Sequence, residues 1–168
     1  AGAAEYAGFR QKLADDTIAA LPVIEKALAE YEALTGRKQP GLIKVSGPED
    51  AQVFILSMGS MAAEMELAAE ALRQKGVKAA ALKLRVFRPF PAEKLAAVLN
   101  PGSTLVVLDR NLAYGHEGGA LLMEARSALY DNQKRIRVVG KSMGIGGQDL
   151  PAEALAAEIR GLLGGEKQ

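Results

Sequence analysis

The chain has 168 residues, a formal net charge of +1 and no cysteine. The length suits one domain with its own core, and the nearly balanced charge argues against a protein that binds nucleic acid or a membrane surface. The lack of cysteine excludes disulfides, a thiolate nucleophile and zinc or iron–sulfur clusters held by cysteine. No apolar run has the length of a membrane span and no signal peptide is visible, so we expect a cytoplasmic protein without a membrane span.

The pattern along the chain predicts three parts. Residues 1–40 are expected to form an N-terminal helical linker region, residues 41–163 an α/β domain, and residues 164–168 a frayed tail. There is no internal repeat and no low-complexity tract, so one domain with a helical extension describes the whole sequence.

The N-terminal region has helical periodicity interrupted by a proline. Apolar residues recur every three or four positions between Leu21 and Leu34, and Gly36 ends the pattern. Pro22 lacks a backbone N–H and clashes with the preceding helical turn. We therefore expect a break or kink near Ala20, with residues 9–19 forming a separate helix.

Four short apolar segments alternate with amphipathic helices in the rest of the chain. Runs of this kind are typical of parallel strands that are covered on both faces. The predicted strands are residues 53–58, 79–84, 105–109 and 136–139. The first of these should be central, between the second and the third, and residues 42–46 could add a short edge strand. The predicted fold class is a three-layer α/β/α sandwich with a mostly parallel sheet.

The first crossover helix should follow the central strand directly. Ser60, after Gly59, is a candidate N-cap, and Gly76 closes the helix. The expected buried stripe comprises Leu67, Ala71 and Leu72. A rigid elbow at residues 87–91 leads into a further helix at residues 92–99.

The point where the chain reverses its winding direction is the predicted binding crevice. Ligands of open α/β sheets bind where two neighbouring strands lead off in opposite directions. Gly59 and Ser60 would offer the positive end of a helix there, and Arg110 would face them. These residues are candidates for contact with an anion or a neighbouring domain, although a simple helix cap explains Gly59 and Ser60 better than a phosphate site does.

No catalytic or metal-binding residue is predicted. His116 is the only histidine and has no neighbouring nucleophile. His116 and Arg88 therefore join the candidates for anion or interface contacts only. Met58, Met61 and Met65 cluster around the start of the first crossover helix, which is typical of a core and sometimes of a subunit contact.

Seven short motifs, in order and at suitable separations, resemble one family. They are Thr-Gly-Arg at 35–37, Glu-Asp-Ala at 49–51, Met-Gly-Ser at 58–60, Leu-Arg with Phe-Arg-Pro-Phe-Pro at 84–91, Leu-Asp-Arg at 108–110, Gly-His-Glu-Gly-Gly at 115–119 and Gly-Ile-Gly-Gly-Gln-Asp at 144–149. The chain resembles the second domain of the α portion of pyruvate:ferredoxin and related 2-oxoacid:acceptor oxidoreductases. That domain is itself similar to the C-terminal domain of transketolases.

The resemblance implies a role inside a larger enzyme. Such enzymes use thiamine diphosphate, Mg²⁺ and [4Fe-4S] clusters to convert a 2-oxoacid and coenzyme A to acyl-CoA and CO₂, passing electrons to ferredoxin. This chain would hold none of those cofactors and would be inactive alone, as a structural or interface domain beside other domains or subunits. The alternative is a free-standing α/β module that binds an anion or a nucleotide at the switch-point crevice.

Overall fold

The computed structural model describes residues 2–164 and contains a five-stranded sheet flanked by helices. The helices are α1 (Ala3–Thr35), α2 (Met61–Gln74), α3 (Ala92–Val98), α4 (Ala120–Asp131) and α5 (Ala152–Gly164). The strands are β1 (Ile43–Ser46), β2 (Val53–Met58), β3 (Ala79–Leu84), β4 (Thr104–Asp109) and β5 (Arg137–Ser142). The predicted frayed tail falls mostly on residues 165–168, which lie outside the described residues, whereas Gly164 is the last residue of α5.

The strand order is β1-β3-β2-β4-β5, and the predicted α/β class is confirmed. β2 pairs in parallel with β3 on one side and with β4 on the other, and β5 pairs in parallel with β4. β1 is the edge strand and runs antiparallel to β3. The last strand begins one residue later than predicted and extends to Ser142. The central position of β2 follows from its composition, because a strand covered on both faces needs no alternation of polar and apolar residues.

Each face of the sheet packs against its own pair of helices. Phe54 and Leu56 of β2 belong to one core cluster with residues of α3 and α4. Ile55 belongs to the other cluster, with residues of α2 and α5. Successive side chains of a strand point to opposite faces, so the unbroken apolar run of β2 supplies both cores at once. The result is the three-layer arrangement expected from the sequence.

The buried face of α2 differs from the predicted stripe. Its buried residues are Met61, Ala62, Met65, Ala68, Ala69 and Leu72. Leu67 is 59% exposed, so its predicted burial is wrong, and Ala71 is only partly buried. Met61, Met65, Ala68 and Leu72 are spaced four, three and four residues apart and share one face of α2, whereas Leu67 lies on a different face.

α1 is one continuous helix of 33 residues, and the predicted break near Ala20 is wrong. Pro22 lies inside it. Both Pro22 and the 67%-exposed Ile18 face outward, so water can bind the Ile18 carbonyl that loses its helical partner. Alanines on both sides favour the helix strongly. The helix ends where expected, since Gly36 takes a left-handed conformation (φ 68°) and donates its N–H to Glu32 O at 2.8 Å.

Polar contacts hold the second half of α1 to the sheet domain. Glu25 forms an ion pair with Lys94 of α3 at 3.1 Å, and the Glu32 carboxylate accepts the N–H of Gln39 at 2.8 Å. Arg85, directly after β3, donates to Gly41 O at 2.9 Å. These contacts fix the connection between α1 and β1 across the end of β3.

Candidate functional site

The carboxyl ends of β2 and β4 lie side by side and form the predicted switch point. From β2 the chain proceeds through α2 to β3 on one side, whereas β4 occupies the other side. A cavity of about 210 Å³ opens at this edge. It is lined by Ser57, Met58, Gly59, Ser60, Met61, Leu108, Asp109 and Arg110. The structure thus brings three predicted candidates, Gly59, Ser60 and Arg110, into one cavity.

The start of α2 is not capped in the way the sequence suggested. Gly59 takes the left-handed conformation (φ 64°), and Ser60 already has helical angles (φ −67°, ψ −36°). An N-cap side chain reaches the helix N–H groups from extended geometry, and the Ser60 side chain makes no capping hydrogen bond. Ser60 therefore stands at the predicted N-cap position but does not cap the helix with its side chain, and the first turn of α2 has no side-chain cap.

Asp109 and Arg110 have separate environments, as expected for successive residues at a strand end. Asp109 is 4% exposed, and its carboxylate accepts the N–H of Leu121 in the first turn of α4 at 2.8 Å. Arg110 is exposed and lies against the loop before α5. A Cβ placed on Gly144 would stand 3.2 Å from its Nε atom. Asp109 therefore stabilises α4, and Arg110 supplies positive charge to the cavity.

Three residues at this edge, Asn111, Gly119 and Ser57, were not among the predicted site residues. The Asn111 side chain accepts the N–H of Ala120 at 2.8 Å, so it caps α4 together with Asp109. Gly119 is required between them, because a Cβ there would lie 2.3 Å from Asn111 Oδ1 and 2.4 Å from Asp109 Oδ2. Ser57 is 1% exposed and lines the cavity. Its signal in the sequence was a lone hydroxyl inside the otherwise apolar β2 run.

Arg88 and His116 do not line this cavity. The Arg88 guanidinium lies 4.2 Å from the centre of the Phe87 ring and forms an ion pair with Glu124 of α4. His116 is exposed in the loop before α4, where its backbone N–H donates to Ala113 O at 3.0 Å. Arg88 thus has partners within the chain, and His116 stands apart from the switch point.

The methionine cluster is part of the core. Met61 and Met65 are 2% and 1% exposed and pack between α2 and the sheet. Met58 is partly buried and packs against the other core cluster. Met61 and Met65 are therefore core residues, and of the three methionines only Met58 remains partly accessible, where it lines the cavity.

The described residues offer no metal centre and no membrane-spanning helix. Within residues 2–164, no three His, Asp or Glu side chains come together in a way that could hold a metal ion. Nor is any helix in that range long and apolar enough to cross a membrane.

Comparison with known proteins agrees with this fold. Subunit PorA of pyruvate synthase from Methanosarcina barkeri strain Fusaro is 39% identical over 140 residues, which are 83% of this chain and 35% of that subunit. A solved 2-oxoglutarate:ferredoxin oxidoreductase from Magnetococcus marinus matches 79% of this chain and 21% of its own with a TM-score of 0.59 and 20% identity. A split-gene transketolase, described as an inactive beta4 tetramer, matches 76% of this chain and 43% of its own with a TM-score of 0.56 and 21% identity.

The two structural matches establish the fold alone, because their sequence identities are too low to carry a shared function. The chain spans about a third of the PorA subunit that it matches. The model of the pyruvate:ferredoxin oxidoreductase core domain II covers residues 51–155, which include β2, β3, β4, β5 and the start of α5. The chain therefore belongs to the pyruvate:ferredoxin oxidoreductase core domain II family.

Proposed function

We propose that this chain is an interface domain of a cytoplasmic 2-oxoacid:ferredoxin oxidoreductase. The enzyme would convert a 2-oxoacid and coenzyme A to acyl-CoA and CO₂ and pass the electrons to ferredoxin. The family match and the name of the PorA relative, a pyruvate synthase subunit, support this reaction class. The chain would contribute by fixing the positions of the domains that hold the cofactors.

The chemistry of the residues supports placing the cofactors elsewhere. A divalent metal at a diphosphate is held by hard oxygen ligands, and the described residues bring no such acidic group together. [4Fe-4S] clusters are held by cysteines, which the sequence does not contain. Thiamine diphosphate, Mg²⁺ and the clusters would therefore belong to other domains or subunits of the assembly.

The observation that carries the interface role is the unburied apolar stripe of α1. Positions three or four residues apart lie on one face of a helix. Such a series runs along α1 and comprises Tyr6, Phe9, Leu13, Thr17, Ala20, Ile24 and Leu28. Its second part, from Thr17 onward, is partly buried, on the half of α1 whose Leu21 and Glu25 lie beside α3. We call its first part, Tyr6, Phe9 and Leu13, the α1 ridge.

The α1 ridge continues the same stripe beyond the surface that the sheet domain covers. Its side chains are 59%, 64% and 47% exposed. Large apolar side chains that share a helix face and remain exposed mark a protein-interaction surface. The relatives are much longer than this chain, and the oxidoreductase polypeptide outside the match is the partner that we propose for the ridge.

The test is assembly of the oxidoreductase with an altered ridge. A triple variant Tyr6→Ser, Phe9→Ser, Leu13→Ser removes the apolar surface without touching the core. Burying one such side chain contributes about 1.5–3 kcal/mol, so we expect the amount of assembled enzyme to fall at least ~10-fold. Size-exclusion chromatography of the reconstituted complex and 2-oxoacid-dependent dye reduction measure the loss.

The matched control alters three apolar residues of α1 on its other faces. Ile18, Val23 and Leu34 are 67%, 65% and 87% exposed and do not belong to the stripe. Their replacement by serine should leave assembly and activity unchanged. Equal assembly of the ridge and control variants would contradict the interface role.

A further inference from the structure

We propose that the cavity at the carboxyl ends of β2 and β4 binds the phosphate group of a small phosphate ester. The binding groups would be the Arg110 guanidinium, the Ser57 hydroxyl and the first-turn N–H groups of α2. The proposal concerns the isolated chain and does not depend on its role in an oxidoreductase.

The Ser57 hydroxyl is a buried donor without a protein partner. Ser57 is 1% exposed, and no hydrogen bond from its hydroxyl is found within residues 2–164. Every fully enclosed polar side-chain atom in that part of the chain has a partner, so the Ser57 oxygen is open to the cavity that it lines. Buried hydroxyls are normally hydrogen-bonded, and a ligand oxygen in the cavity would satisfy this one.

The charge of the cavity comes from Arg110. The only other charged residue in its lining is Asp109, whose carboxylate is engaged by the N–H of Leu121 in α4. Arg110 forms no ion pair with any residue that the structure describes. A guanidinium presents five N–H donors in a planar fork that matches phosphate oxygens, which makes an unpaired Arg at such a place a ligand group.

Gly144 positions the Arg110 side chain. A Cβ on Gly144 would lie 3.2 Å from Arg110 Nε and 2.7 Å from a methyl carbon of Leu150. Gly144 also has a φ of 69°, which L side chains rarely adopt. The glycine therefore allows the guanidinium of Arg110, which lines the cavity, to lie close to the loop before α5.

The start of α2 completes the set of donors. α2 has 14 residues, and its first turn has no side-chain cap because Ser60 makes no capping hydrogen bond. The free N–H groups and the positive end of the helix dipole both favour an anion. Backbone donors, a neutral hydroxyl and a cation thus converge on one small space.

The size of the cavity selects the ligand class. Pockets that enclose a whole small molecule have volumes of roughly 300–1,000 Å³. The switch-point cavity measures about 210 Å³, which accommodates a phosphate group but not an entire nucleotide. The rest of the ester would extend into solvent past Arg110.

The experiment is a titration of the ¹⁵N-labelled chain with inorganic phosphate, followed at the backbone amides of residues 59–62. We expect saturable shifts that begin at these amides. AMP and adenosine then separate a phosphate ester from the free ion: AMP should bind at the same amides at least as tightly as phosphate, and adenosine should not. Binding of inorganic phosphate without binding of AMP would overturn the ester assignment.

Variants test the named residues. Arg110→Ala should weaken phosphate binding at least tenfold, and Ser57→Ala about threefold or more. Arg126→Ala, which alters an exposed arginine of α4, is the matched control and should bind as the parent chain does. The ¹H–¹⁵N spectrum of each variant verifies its fold. Absence of shifts at residues 59–62, or equal weakening by Arg126→Ala and Arg110→Ala, would overturn the proposal. Neither result would alter the assembly measured with the α1 ridge.

Discussion

Two helices, α1 and α2, have similar compositions rich in alanine, leucine and glutamate but bury very different amounts of surface. α1 has 33 residues and none is buried, whereas α2 has 14 residues and six are buried. α2 connects two parallel strands, so its apolar face must return to the sheet that those strands form. α1 precedes the sheet and contacts it only along its second half. Connection to the sheet, more than composition, determines which helix the core depends on.

The largest expected effect contrasts two residues of α2. Met65→Ala removes a side chain that is 1% exposed and should lower the free energy of unfolding by about 2–5 kcal/mol. Leu67→Ala, at a position that is 59% exposed, should change it by no more than about 0.5 kcal/mol. Urea unfolding followed by circular dichroism measures both. Similar losses for the two variants would show that α2 packs through the stripe predicted from the sequence.

The intermediate effect concerns the continuity of α1. Proline in a helix interior is about 3 kcal/mol less favourable than alanine, so Pro22→Ala should stabilise the helix locally by up to that amount. The restored N–H bonds to Ile18 O, and amides at residues 19–26 should exchange more slowly with solvent. Hydrogen exchange measured by NMR monitors this change.

A glycine substitution provides the control for α1. Ala29→Gly, at an exposed position of the same helix, should lower the free energy of local opening by about 1 kcal/mol. Amides near residue 29 should therefore exchange faster. If Pro22→Ala left exchange unchanged while Ala29→Gly accelerated it, Pro22 would lie at a helix boundary, and α1 would be two helices after all.

The smallest effect comes from a surface ion pair that lies in neither helix. Lys78, before β3, holds Asp50, before β2, by a hydrogen bond of 2.5 Å and by its charge, and lowers the pKa of Asp50 below 3.8. The contribution of this pair to stability is therefore complete above the ordinary pKa and is lost as the pH falls through the lowered one. Because Asp50 and Lys78 are both exposed, the change should be small.

NMR titration of the Asp50 carboxyl carbon tests the pair directly. In Lys78→Met the pKa of Asp50 should return toward 3.8, and the acid-dependent part of the stability should shrink. Lys75→Met, at an exposed residue of the same turn, serves as the control and should leave the Asp50 titration unchanged. A lowered pKa that persists in Lys78→Met would contradict the assignment of its cause.

Much of the α/β fold was readable from the sequence, because local chemistry fixes it. Both faces of the apolar run 53–58 need to be buried under helices, and a strand covered in this way was predicted to be the central one. Gly36 predicted the end of α1 correctly, and Asp109 predicted the end of β4 correctly. Short-range spacing, turn residues and the alternation of strands with helices carried this information.

The tertiary structure alone decided which apolar residues are buried and which polar groups meet. Met61 and Met65, and not Leu67, lie on the inner face of α2. Helical spacing shows which residues share a face, but it does not show which face turns toward the sheet. Pro22 is tolerated because its side of α1 faces water, which periodicity around a proline does not reveal. Asn111 and Asp109 reach the N–H groups of Ala120 and Leu121, nine and twelve residues later, because α4 folds back against the end of β4. Ser57 and Arg110 line one cavity because β2 and β4 are neighbours in the folded sheet.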